Sequence, residues 1–304
     1  MTADQQPELA PDVVSFSELA SFRRCPLKHF LEYRERWTKP DKEGGALSRG
    51  TRWHSVLETH YETKRVIEEE AGVRTVAQAA ELSDRILKEA WAGIEPLLFD
   101  LRSGEQTEEQ NLVEWMYRGH VDKWGTDPEW KVLGTETRLQ APLPNAGGIE
   151  LKAKVDLIVY DRTKGGTWVI DHKSGKSLPY QKELDIDDQF GLYTWLWNTL
   201  HPESKVMGSI HNAAKTYRTK AVDPLDRRFS RTYMNRTDTE LVALAVDAAQ
   251  AAMASRTGLL YSSPNSANCK WDCSFVDAHL LARKGRDLTE VLREFDFVQN
   301  FERH

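Results

Sequence analysis

Apolar positions recur along the chain at helical spacing up to about Val121 and at strand spacing from Trp130. Ser15 followed by Glu18 makes a capping box, which opens a helix running to about Tyr33. Gly44-Gly45 interrupts the pattern, and Trp53, Val56, Leu57 and Tyr61 then form one stripe of a second helix over about 47–66. Two more helices are predicted over about 76–94 and 106–121. The stretch Trp130–Pro142 has strand chemistry and ends in the turn PNAGG. Ile149, Leu151, Ala153, Val155, Leu157 and Val159 occupy alternate positions, which predicts a strand with one buried face. The turn DRTKGG leads into a third strand, TWVIDHK, and the short connections predict an antiparallel meander. A helix over about 184–200, strands over about 205–211 and 229–234, and an alanine-rich helix over about 237–254 complete the pattern.

This order predicts an α/β (α+β) fold, a mixed sheet flanked by helices with an N-terminal helical region. Residues 1–14, polar with two prolines, are expected to be a disordered tail. Residues 15–304 are expected to form one domain: a helical part over 15–125, a sheet core over 126–236, and C-terminal helices with a cysteine cluster over 237–304.

Composition narrows the classes. The 304 residues are 40% hydrophobic and include 10 Trp, 9 Tyr and 10 Phe, enough for a large core and too apolar for a disordered chain. No apolar run approaches the roughly 20 residues of a membrane helix, and the first residues carry no signal-like segment. Three cysteines do not make a disulfide framework, so a cytoplasmic protein is expected. The net charge of −6 means that a nucleic-acid partner would need a local basic groove or a metal. The acidic runs at Glu68–Glu70 and Glu105–Glu109 read as solvated faces.

The chemistry concentrates on the second and third strands. In Asp171-His172-Lys173, Asp171 and Lys173 project to one face and His172 to the other. Asp156, opposite the alternating apolar set of its strand, can converge with Asp171. Two carboxylates brought together need a shared cation or proton, and hard oxygen ligands favour Mg²⁺ or Mn²⁺. Lys173 would orient a water or steady an anionic transition state. Gln189 and Tyr193 share a helix face at i and i+4, and His54 sits on an early helix in RGTRWHSVLE.

With SFSELASFRRCPLKHF, G-x-x-x-H ending in His54, KVDLIV with Asp156, VIDHKSGK, and Q-x-x-x-Y, the chain resembles the RecB-type branch of the PD-(D/E)XK nuclease superfamily. That branch includes CRISPR-associated and phage-encoded RecB-like exonucleases. The resemblance implies a metal-dependent DNA exonuclease acting on single-stranded ends, in recombination, repair or phage DNA metabolism. A helicase or recombinase partner would fit, and a phage-encoded member would act in the host cytoplasm. The alternative is an accessory module that holds DNA ends, with hydrolysis secondary or absent. By the same resemblance His54, Asp156, Asp171 and the backbone carbonyl of His172 would be metal ligands, and Lys173 the catalytic lysine. Gln189 and Tyr193 would contact DNA or support the site, with Glu136 in a supporting role.

The resemblance also draws attention to Cys25, Cys269 and Cys273. In the family, one N-terminal and three C-terminal cysteines hold a [4Fe–4S] cluster, but here His279 stands in the fourth position. A Cys₃His cluster, tetrahedral zinc on the same four ligands, or inert buried side chains all accord with these residues. Between Lys205 and Arg236, eight cations face two aspartates, with Tyr217, Phe229 and Tyr233 interleaved, as a single-strand groove would require. Arg23, Arg24 and Lys28 on the first helix are further candidate DNA contacts.

Overall fold

The computed structural model describes residues 12–39, 46–99, 104–218, 224–258, 260–265, 267, 269–270 and 273–301. In chain order it contains β1 (Val13–Ser15), α1 (Phe16–Arg24), α2 (Pro26–His29), β2 (Trp37–Thr38) and α3 (Ala46–Glu70). There follow α4 (Val76–Glu81), α5 (Ser83–Leu98), α6 (Glu108–Trp124), β3 (Trp130–Pro142), β4 (Glu150–Asp161) and β5 (Thr167–Gly175). Then come α7 (Gln181–Asp185), α8 (Asp188–Leu200), β6 (Val206–Lys215), α9 (Leu225–Arg228) and β7 (Phe229–Met234). The chain ends in α10 (Asp238–Arg256), α11 (Val276–Ala282), α12 (Leu288–Glu294) and β8 (Val298–Gln299).

Internal packing groups the chain into two units. One comprises Met1–Lys42, Gln140–Lys152 and Ala245–His304, the other Glu43–Leu139 and Ala153–Leu244.

In the first unit, Val13 and Val14 correct the expected N-terminal tail: they pair in parallel with Glu150 and Leu151, and Val14 is fully buried. Two adjacent β-branched residues suit an extended, half-buried segment. Residues 1–11 of that tail lie outside the described residues. The predicted long first helix is broken at Cys25, which is extended because Pro26 disfavours a helical residue before it. Ser15 caps α1, accepting from the Glu18 N–H at 3.2 Å. The capping box is half-formed, since the Glu18 carboxylate instead accepts from Arg256 at 2.8 Å. Leu31, Trp37, Phe275, Val291, Leu292 and Phe297 pack as this unit's core.

In the second unit the sheet is mixed. β4 and β5 are antiparallel, β5 and β6 parallel, β6 and β7 antiparallel, and β3 also pairs with β4. Helices α3, α5 and α6 cover the face bearing Leu157, Val159, Trp168, Ile170, Ile210 and Phe229. Helix α8 packs against β5 and β6, with Phe190 joining Leu184 and Met234. Val155–Val159 is buried throughout, on both faces, where alternation predicted one. The strand is interior and Ile158 holds an even position, so the simple apolar-in, polar-out rule fails there.

Glu68 also departs from the expected solvated face. Its buried carboxylate pairs with Lys64, which is fully buried, and with Arg162 at 2.6 Å. A buried charge of this kind persists only when paired.

Two of the buried histidines, His60 and His120, lie side by side in the main core. His60 Nδ1 is hydrogen-bonded to the Tyr117 hydroxyl at 2.9 Å, and the Tyr61 hydroxyl lies 3.2 Å from His120 Nε2. Burial depresses His60 to about 4 and His120 well below its ordinary value. These two rings therefore take up protons in the unfolded chain, and not in the folded one, as pH falls below about 6.5, and His172 and His211, which burial holds at about 3 and about 4, act in the same direction. Their contribution is complete above that pH and is lost as pH drops towards 4. Urea midpoints should thus fall steadily from pH 6.5 to 4.5, and a flat or rising midpoint across this interval would contradict the assignment.

Candidate active site

The register between β4 and β5 ends with Leu157 paired to Ile170, and Asp156 and Asp171 are the next residues along the two strands. Both belong to the face opposite the main core, and both are buried. Each carboxylate has its own compensation. Asp156 Oδ2 accepts the main-chain N–H of His172 at 2.7 Å, and its Oδ1 lies 3.3 Å from His54 Nδ1. Asp171 Oδ2 lies 2.7 Å from Lys173 Nζ, although no hydrogen bond of good geometry reaches this buried oxygen. Asp171 Oδ1 accepts from Gln189 Nε2 at 3.3 Å, and the same amide donates to the Tyr193 hydroxyl at 2.6 Å. Asp187 sets the start of α8 by accepting the Gln189 N–H at 2.8 Å, which aims that side chain at β5.

His54, on α3, and Glu136, on β3, complete the group. One ligand atom from each of His54, Glu136 and Asp156 lies within 4.8 Å of the others. The backbone at Glu136 is strained, with φ +46°, a conformation that a glutamate rarely adopts. Across it the buried positions of β3 change parity, from Trp130 and Val132 to Leu139 and Ala141, as one extra residue in the strand requires. The kink brings the carboxylate to His54 and Asp156. The sequence suggests only a supporting role for Glu136, and the structure groups it with two of the expected ligands, His54 and Asp156.

The electrostatics follow from this crowding. Burial disfavours the charged His54 ring, but the hydrogen bond and charge of Asp156, with the charge of Asp171, outweigh it and raise its pKa. Burial likewise disfavours the Asp156 carboxylate, yet His54 and His172 bring it below the usual range. Burial pushes Asp171 up to about 6, with Asp156 adding to the shift and Lys173 opposing it. Lys173 is 40% exposed and stays charged: burial opposes its ammonium, and Asp171 more than offsets that.

Three residues near the site had no place in the sequence reading. Glu58 follows His54 at helical spacing and is raised by burial and by Glu136. Lys154 pairs with Glu136. His211 lies beside Asp171 on β6, its ring edge-on to Phe190 at 5.3 Å. Glu58 alone was signalled by its i+4 spacing.

The residues present fit a divalent cation. The donors are hard oxygens and one imidazole, burial and then the neighbouring carboxylates raise Asp171 and Glu58, and one buried oxygen of Asp171 lacks a well-formed hydrogen bond.

The other predicted set lies in the first unit. Cys25, Cys269, Cys273 and His279 line one pocket, together with Arg24 and Lys28. The Ser263 N–H donates to Cys25 Sγ at 3.5 Å. Burial raises the Cys273 thiol, with Cys269 and Cys25 adding to the shift and the Phe275 N–H and Lys28 opposing it. Among the described residues, no three of these four ligand atoms lie within 4.8 Å of one another.

The basic segment is not a row of free cations. Arg228 is buried, and so is the side chain of Arg231, each against tryptophan rings. Arg218 donates to Asn111 and Arg236 to the carbonyls of Asp185 and Asp187, while Lys205 pairs with Asp238. Lys220 lies outside the described residues. Arg227 and Tyr217, the latter 58% exposed, remain at the surface.

Among known proteins, the chain is similar in structure to a "Putative exonuclease" from Eubacterium rectale, at 12% identity and a TM-score of 0.44, covering 86% of this chain and 93% of that one. It is also similar to the protein SSO0001, at 15% identity and a TM-score of 0.35, covering 88% and 84% of the two chains. None of the curated proteins matches it. The sequence itself matches the PD-(D/E)XK nuclease superfamily over residues 13–277, a span that contains the site just described, and the chain belongs to that superfamily.

Proposed function

We propose that the protein is a divalent-metal-dependent DNA exonuclease acting on single-stranded ends. The observation that carries this reading is the convergence of His54, Glu136 and Asp156 beside the Asp171–Lys173 pair. His54, Asp156, Asp171 and the His172 carbonyl would hold Mg²⁺ or Mn²⁺, with Glu136 as a further carboxylate. Bound there, the ion would acidify a water and polarise the scissile phosphate. The chain's own residues do the positioning. The His172 N–H fixes one oxygen of Asp156 and leaves the other towards His54. Asp171 anchors the Lys173 ammonium where it can orient an attacking water and balance charge developing on the phosphate. Gln189 steadies Asp171 and Tyr193 together. Tyr180, 78% exposed on the segment that follows the lysine strand, and Tyr217 offer faces for unpaired bases, which supports a single-stranded substrate. No helix among the described residues is long and apolar enough to cross a membrane.

For the cysteine pocket we favour an iron–sulfur cluster over zinc. Tetrahedral zinc with bonds of about 2.3 Å would draw its sulfurs to about 3.8 Å apart, and these ligand atoms are more widely spread. A cluster bound there would be structural, joining the two ends of the chain within their unit.

Two outcomes are expected. Lys173→Ala or Asp171→Ala should lower Mn²⁺-dependent cleavage of end-labelled single-stranded DNA by at least about 100-fold with circular dichroism unchanged. Cleavage retained in those variants, or in EDTA, would refute the assignment. Anaerobically purified protein should contain iron and acid-labile sulfide that Cys269→Ser loses, whereas stoichiometric zinc without iron would refute the cluster.

A further inference from the structure

Directly behind the metal-site face, the core contains a polar row that its apolar surroundings do not explain. His172, Asn212 and Arg231 are register partners on β5, β6 and β7. They lie on the face that otherwise presents Ile170, Ile210 and Tyr233 to the helices. Arg231 is clamped between the rings of Trp124 and Trp130, at 4.0 and 3.9 Å. It forms a two-pronged pair with the fully buried Asp127, at 2.5 and 2.8 Å. Its Nε donates to Asn212 Oδ1 at 3.3 Å, which turns the amide so that Nδ2 donates to His172 Nδ1 at 2.8 Å. The Tyr61 ring stacks on His172 at 5.7 Å and 6°, and its hydroxyl donates to Asp127 at 2.8 Å.

A buried ion pair and amide of this kind give little net stability over apolar side chains of the same volume, because desolvation offsets the attraction. What they supply is a single arrangement: Arg231 donates to Asp127, Asn212 and the Tyr61 hydroxyl, and the amide on Nδ1 gives the His172 ring one tautomer and one plane. That residue stands between Asp171 and Lys173, and its main-chain N–H holds the Asp156 carboxylate. Fixing the ring fixes the peptide that orients one ligand carboxylate and carries the next acid and the lysine.

We infer that Asn212 and Arg231 are positioning residues for the metal site, acting through His172. This deepens the metal-dependent reading above and rests on it. Hydrogen-bonded groups behind a metal's ligands set its affinity, and their loss commonly costs 10- to 100-fold.

The test compares two variants that both damage the network. Asn212→Leu cuts the row between Arg231 and His172. Tyr61→Phe keeps the stacked ring and the Arg231–Asn212–His172 row, and removes only the hydroxyl with its bonds to Asp127, Arg231 and His120. Both should lower the melting temperature. Mn²⁺ binding, measured by calorimetry without DNA, should weaken about tenfold in Asn212→Leu and stay within about twofold in Tyr61→Phe. The lost cleavage of Asn212→Leu should return as Mn²⁺ is raised. If Asn212→Leu does not fold, Asn212→Ala makes the same cut with less steric change. Mn²⁺ affinity that falls in both variants, or in neither, overturns the inference while the nuclease reading stands. A wild-type protein that binds no Mn²⁺ overturns both.

Discussion

Two acids held side by side in a nearly dry sheet are the constraint around which this molecule is organised. Asp156 and Asp171 directly follow the last paired residues of two antiparallel strands, and neither can reach water freely. Like charges so placed cannot both ionise without compensation. Compensation comes from three directions: an imidazole on α3, an ammonium two residues along β5, and a main-chain N–H between them. In the proposed reading, a divalent ion would turn the same arrangement into a ligand shell with the Lys173 charge beside it.

The remainder of the fold serves that junction. Helix α3 packs against β5 from the core face and brings His54 to Asp156. Helix α8 approaches from the other face and brings Gln189 to Asp171. Behind them, the His172–Asn212–Arg231 row sets the plane of the peptide that joins the two acids. Ordered polar groups inside an apolar core cost stability, and they accumulate where geometry matters more than burial.

Much of this was legible in the sequence because it depends on local periods. Period-two alternation placed Asp171 and Lys173 on one face with His172 opposite, and i, i+4 spacing joined Gln189 to Tyr193. The ordered set of motifs then brought His54 into the same site. What escaped the reading was non-local. Arg231 sits in a run of cations and resembles a phosphate contact, yet Asp127 and two tryptophans distant in the chain bury it. Glu68 resembles a solvated acid until Lys64 and Arg162 close over it. The kink at Glu136 left a trace that could have been read, since its strand's apolar positions change parity between Val132 and Leu139.

The central claim is that His54, Glu136 and Asp156 converge on one hard cation. Crystals grown with Mn²⁺ and measured near the manganese absorption edge test it most directly. An anomalous peak within bonding distance of those three side chains and of Asp171 is the predicted result. Manganese bound elsewhere, with His54 turned away from the acids, would contradict it.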